Sequence, residues 1–124
     1  MDATSLEALK YPIGRFSPKD SYSREDVEND INRIETLPKR LREAVKNFSA
    51  IDFNTPYRPE GWTARQLIHH LADSHLHAYI RVKWSLTEVT PAIKAYQEKL
   101  WAETPENDLD PEFSITLLEA HHKK

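Results

Sequence analysis

The chain has 124 residues, which leaves room for a single domain spanning residues 1–124. Its 17 basic and 20 acidic residues give a net charge of −3 and are mixed along the chain, so no basic stripe favours nucleic acid, and no long apolar run favours a membrane span. The absence of cysteine excludes disulfides and a cysteine nucleophile, and a start without the features of a secretory signal makes a cytoplasmic location the expectation.

Residues 1–22 are predicted to form an N-terminal arm. Tyr11-Pro12 and Ser17-Pro18 indicate extended chain or turns, because the residue before a proline avoids the helical conformation. The aromatic and aliphatic residues of YPIGRF predict that the arm lies on the body of the protein. The alternative is a poorly ordered terminus.

A first long helix is predicted over residues 23–48. Ser23 is a good N-cap, and the acids Glu25 and Asp26 suit the positive end of a helix dipole. Pro38 lies inside the pattern, where a proline removes a backbone donor, so we expect a kink. Residues 49–62 then form a connection. The apolar positions step by 3, 4 or 7 residues, as in a helical bundle: Val27, Ile31, Ile34, Leu41, Val45 and Phe48.

A second helix, residues 63–87, has the clearest start in the chain. Thr63 and Gln66 have the spacing of a capping box. One broad side of this helix is apolar, and Leu71 is expected to lie in the core. That apolar stripe comprises Ala64, Leu67, Ile68, Leu71, Ala78, Tyr79, Val82 and Leu86, with His75 among them. A narrow polar row comprises Thr63, Gln66, His70, Ser74, His77 and Arg81, which are neighbours at i, i+3/i+4 spacing.

The second helix also has apolar residues away from its main stripe. Leu76, Ile80 and Trp84 lie there, and a helix that is apolar on more than one side is buried in a bundle or shared with a second chain. We therefore expect a second chain, or a segment outside these residues, to cover this surface.

The sequence leaves two alternatives for residues 88–109. A short helix could begin at Pro91 with Thr90 as its cap, or the stretch could be a long ordered loop, which is uncommon unless it binds something. Asp110-Pro111-Glu112 predicts the start of a third bundle helix. No capping residue or proline ends that helix before Lys124, so we expect the chain to stop inside it.

The histidines do not form a metal site by themselves. Metal sites on one helix usually place two histidines at i and i+4, and no pair here has that spacing. His75 is expected to be a core histidine with a hydrogen-bond partner, whereas His69 and His77 are expected at the surface or an interface. His70, on the polar row, is the candidate for a metal or catalytic role. Any other ligands must come from elsewhere in the protein.

Several stretches together resemble the DinB-like superfamily, in the subgroup of YfiT. They are YPIGRF, TPYRPEGWTARQLIHHLADSH and YIRVKWSLTEVTPAIKAY, and the similarity extends from about Tyr11 to His122. The resemblance implies an all-α, up-down four-helix bundle that holds a divalent ion, nickel or zinc, through three histidines. Members are described as metal-dependent hydrolases and as bacillithiol S-transferases, and they are commonly homodimers.

The resemblance assigns one ligand to this chain. The family's first metal ligand precedes Leu-Ala-Asp on the second helix, which corresponds to His70. The other two come from an HxxxH motif on a fourth helix, and that motif is not found here; His121 and His122 belong to the third helix instead. We therefore expect the fourth helix, the C-terminal part of the bundle, to be missing from this chain.

Two classes of function remain open at this stage. The first is a metal-dependent hydrolase or thiol (bacillithiol) S-transferase that acts on a small-molecule substrate, with the metal activating a water or a thiol. The second is a non-catalytic helical module for binding or oligomerisation, which the two missing ligands favour.

Overall fold

A computed structural model describes residues 2–124. It consists of helices, and within those residues the only β-type pairing is an isolated bridge between Pro56 and Thr63. The predicted all-α class is confirmed. The elements are α1 (Ala3–Lys10), α2 (Arg24–Val45), α3 (Ala50–Phe53), α4 (Ala64–Thr87), α5 (Glu98–Trp101), a 3₁₀ turn (Pro105–Asp108) and α6 (Pro111–His122).

The three long helices begin where the sequence predicts. The hydroxyl of Ser23 accepts from the backbone N–H of Asp26, and the Asp26 carboxylate accepts from the N–H of Ser23. Thr63 and Gln66 make the same reciprocal pair at the start of α4. Asp110 caps α6 through the N–H of Glu112. These starts satisfy backbone donors that have no partner inside the helix.

Helix α6 joins the other two long helices. It packs against both α2 and α4, which make few contacts with each other. Ile115 and Leu118 of α6 are 2 % and 1 % exposed, and Pro38 is buried inside α2. The apolar core of the described residues comprises Ile68, Ala72, Ala102, Ile115 and Leu118.

A charged contact at the edge of the core ties α2 to α6. The guanidinium of Arg42 donates two hydrogen bonds to Glu112, of 2.7 and 3.0 Å, and also pairs with Glu119. The pKa of Glu112 is lowered, mainly by its hydrogen bond with Arg42. A bidentate pair of this kind constrains the relative orientation of the two side chains in addition to attracting them. It therefore helps to set how α6 lies on α2.

The N-terminal arm differs from the prediction. Residues 3–10 form a helix, which Asp2 caps by accepting from the N–H of Ser5. Ile13 is 98 % exposed and Phe16 is 86 % exposed, so the expectation that YPIGRF lies on the body is wrong for these side chains.

The apolar stripe of α4 is only partly buried. Ile68 is in the core, but Leu71 is only partly buried and Val82 and Leu86 are exposed. The prediction that Leu71 is a core residue is therefore wrong for residues 2–124. The neighbouring Ile68 and Ala72, each 3 % exposed, are the buried apolar residues of α4.

The connection after α4 is an ordered loop rather than a helix from Pro91. Residues 88–97 have no regular structure, and the helix begins only at Glu98. Thr90 has a positive φ of 52°, which does not suit an N-cap followed by a helix. No helix within residues 2–124 is both long and apolar enough to cross a membrane.

Candidate functional site

The polar row of α4 lies along residues 94–102. The amide of Gln66 donates to the carbonyl of Ala102 over 3.0 Å, and the guanidinium of Arg81 donates to the carbonyl of Lys94 over 3.2 Å. Between them, the ring of His77 stacks on Tyr96. The structure thus brings one edge of the predicted row against the loop that follows α4. Ser74, also in the row, is partly buried.

His70 sits midway along this row and is partly buried. Its ring lies 4.7 Å from that of Trp62, centroid to centroid. Burial lowers the pKa of His70, while the nearby carboxylates of Asp73 and Glu98 act in the opposite direction. The neutral imidazole, the form that binds a metal ion, is therefore favoured near neutral pH.

Hydrogen bonding divides the histidines into two groups. Within residues 2–124, His69, His75, His77 and His122 make hydrogen bonds through their rings, whereas His70 and His121 do not. Its ring is oriented by packing on Trp62, and its nitrogens are not engaged by another protein group. An imidazole in this state is available to a ligand.

His69 is buried between α4 and α6, so the expectation that it lies at the surface or at an interface with a second chain is wrong. Its exposed fraction is 6 %, its Nδ1 lies 2.6 Å from the hydroxyl of Ser114, and its Nε2 lies 3.0 Å from the carbonyl of Leu109. A carbonyl only accepts, so Nε2 carries the proton and Nδ1 accepts from the serine hydroxyl. His69 thereby joins α4 to α6 with both ring nitrogens used, which leaves none for a metal.

A chain of hydrogen bonds through His75 and His122 connects all three long helices. His122 Nδ1 donates to the carbonyl of Ile34 in α2 over 2.6 Å, so its Nε2 can accept from His75 Nδ1 over 2.7 Å. The prediction that His75 has a hydrogen-bond partner is confirmed, although the side chain is only partly buried. Burial, and then the neighbouring histidines, lower the pKa of His75. His121 packs edge-on against Tyr79.

His77 belongs to an aromatic cluster. Its Nδ1 donates to the carbonyl of Asp73 over 2.7 Å, and its ring stacks on Tyr96 at 3.8 Å, 8° from parallel. Trp101 meets both rings edge-on, at 4.8 and 5.2 Å. Sequence reasoning placed His77 at a surface or interface without this cluster. The available signal was the presence of two aromatics, Tyr96 and Trp101, between Pro91 and Pro105.

Residues 2–124 contain no group of three histidine, aspartate or glutamate side chains that could hold a metal ion. His70 supplies one donor, and a zinc site normally needs three or four protein ligands. The donor set in this part of the chain therefore does not form a complete metal site.

Comparison with known proteins gives the family. Residues 33–124, most of the chain, match the sequence pattern of the DinB superfamily. The chain belongs to the DinB superfamily. A relative from Bacillus cereus (strain AH820), named "Putative metal-dependent hydrolase", is 45% identical over 119 residues, which cover 96% of this chain and 69% of the relative. Another, from strain B4264, carries the same description and is 44% identical over the same length.

A solved structure agrees with the fold. It is YfiT from Bacillus subtilis, described as "a probable metal-dependent hydrolase with an unusual four-helix bundle topology". The TM-score is 0.89 at 46% sequence identity, and the match covers 94% of this chain and 67% of YfiT. The predicted resemblance and the four-helix-bundle class are both confirmed.

Proposed function

We propose that this protein is a metal-dependent hydrolase in which His70 is one ligand of a divalent ion, zinc or nickel. The observation that carries the proposal is the state of the His70 ring: burial favours its neutral form, Trp62 packs against it, and within residues 2–124 its nitrogens make no hydrogen bond. The descriptions of the Bacillus relatives and of YfiT support the same class of reaction.

The residues around His70 have definable roles in this proposal. Trp62 limits the orientations of the imidazole ring, and partial burial keeps the ring unprotonated near neutral pH. Burial also raises the pKa of the nearby Asp73 carboxyl, so it is a candidate to accept or return a proton. A divalent ion, when bound, supplies an activated nucleophile from water or from a thiol. Transfer of a thiol is therefore the second reaction that this site would support.

The first experiment measures metal content. Donors beyond those of residues 2–124 are needed, so the 124-residue chain should bind zinc or nickel only weakly, because one imidazole gives little affinity. A chain extended through a helix that carries HxxxH should retain about one metal ion per chain on dialysis. In the extended chain, His70→Ala should abolish this retention.

His77→Ala is the matched control. His77 lies in the same polar row, ~10 Å further along the helix axis. Its removal should leave metal retention largely intact, as measured by elemental analysis of dialysed protein. Retention that survives His70→Ala, or that is lost with His77→Ala instead, would mean that the wrong ligand has been chosen.

A non-catalytic helical module is the second candidate function. It is favoured by the incomplete donor set of residues 2–124. If the extended chain retains no metal and hydrolyses no ester or amide substrate with zinc or nickel added, this candidate replaces the first.

A further inference from the structure

A cavity lies between the C-terminal half of α4 and the loop that follows it. Its volume is about 360 Å³, within the range of small-molecule sites. It begins at His77, the fourth histidine of α4, and extends toward the end of that helix. The residues that matter to its chemistry are His77, Arg81, Trp84, Lys94, Tyr96 and Trp101.

The walls of the cavity include flat, firmly held aromatic rings. The His77–Tyr96 stack is within 8° of parallel, and Trp101 braces both rings edge-on. His77 Nδ1 also donates to the backbone carbonyl of Asp73, which restricts rotation of the His77 ring. Trp84 adds a second indole, which is 38 % exposed. Such walls suit a planar ligand, because the ligand's ring can then stack in an offset arrangement on rigid aromatic rings.

The charges at the cavity are all of one sign. Arg81 and Lys94 line it, and no carboxylate within residues 2–124 does. Among the ion pairs recorded for residues 2–124, none includes either of these cations, and the polar contact of Arg81 is to the Lys94 carbonyl. Arg42, by contrast, is paired with two glutamates. The cavity therefore offers positive charge that no side chain in this part of the protein neutralises.

We propose that this cavity binds a small planar anion, of the class of aromatic carboxylates. The ring system lies against the aromatic walls, and the carboxylate accepts hydrogen bonds from Arg81 and Lys94. Guanidinium and carboxylate match in geometry, and the contact is stronger where water is partly excluded. His70, the proposed metal ligand, is not among the residues that line the cavity.

The test is a titration of the purified protein with 2-naphthoate by isothermal calorimetry, with 2-naphthylmethanol as the uncharged ligand of similar shape. The carboxylate should bind at least about tenfold more tightly than the alcohol, because only the carboxylate offers a charged acceptor for the charge-assisted hydrogen bond. Its affinity should fall as salt is added. In ¹H–¹⁵N spectra, the indole signals of Trp84 and Trp101 should shift during the titration.

Arg81→Gln and Lys94→Gln should each weaken naphthoate binding about tenfold and leave the alcohol unaffected. Lys83→Gln is the matched control: Lys83 lies on the same helix two residues from Arg81, with its ammonium near the Tyr79 ring outside the cavity. Circular dichroism confirms that each variant is folded. Three outcomes would overturn the proposal: no binding by the wild-type protein, equal binding of both ligands, or weakening by Lys83→Gln as large as by Arg81→Gln. A fourth such outcome would be a dimer in which a second copy of the chain fills the cavity and naphthoate does not displace it.

Discussion

Replacement of Leu118 by alanine tests whether α6 holds the three long helices together. Leu118 is 1 % exposed and lies between Ser114, which bonds to α4, and His122, which bonds to α2 and α4. These positions are four residues apart and so share one face of α6. Truncation removes the buried methyl groups and leaves a cavity, which together cost ~2–5 kcal/mol in well-packed cores.

We expect a loss near the middle of that range, ~3 kcal/mol, because the core of the described residues is small and two of its five apolar members are already alanine. In a domain of this size, such a loss lowers the melting temperature by about 10–15 °C. Urea unfolding followed by circular dichroism and tryptophan fluorescence gives the free energy directly.

Leu117→Ala is the control, because it makes the same chemical change one residue away on α6. Leu117 is 43 % exposed, so its truncation should cost less than ~1 kcal/mol. If the two variants are equally destabilised, or if Leu118→Ala costs less than ~1 kcal/mol, then α6 does not pack as described.

Two further predictions concern a cap and a titrating group. Thr63→Ala should destabilise the protein by ~0.5–2 kcal/mol, because it removes the N-cap of α4, while Thr87→Ala at the other end of that helix should cost less in the same urea assay. The pKa of His75 is lowered in the folded protein, so the unfolded chain takes up its proton first as the pH falls below ~6.5. The free energy of unfolding should therefore decrease from pH 7 to lower pH, and less so in His75→Gln; an identical decrease in both proteins would rule out His75 as its source.

The sequence predicted local structure well because the signals were local. Ser23, Thr63 and Asp110 were identified as N-caps, and each cap bond spans only two or three residues. The helix start at Ala3 carried a similar signal in Asp2 and Ser5, which the surrounding proline-rich arm obscured.

The failures concern residues whose environment is set from far along the chain. His69 was expected at the surface or an interface, but its ring bonds to Ser114 and Leu109, which lie 45 and 40 positions away in the sequence. Helical periodicity placed Ile68 and Leu71 on one stripe, yet only Ile68 is fully buried, and Leu71 is partly exposed. Helical periodicity shows which residues lie on the same side of a helix, but it does not show which side packs against another element.

The candidate site also has some features that the sequence predicted and others that it did not. The polar row was predicted, and the structure sets Gln66, His77 and Arg81 along residues 94–102. The stacking partners of His77 were not predicted, because nothing in the α4 sequence specifies which loop residues fold back upon it. The role of His70 stays a prediction until metal content is measured.

The position of α6 has a consequence for the order of events during folding. The Arg42–Glu119 contact joins residues 77 positions apart, and His69–Ser114 joins residues 45 apart. Helices α2 and α4 are therefore synthesised well before the element on which both pack. At a synthesis rate of ~5–20 residues per second, the apolar surface of α2 leaves the ribosome several seconds before α6 is available to cover it. Closing such long loops is also slow in refolding, so the protein should depend on chaperones more than a bundle of sequential hairpins does.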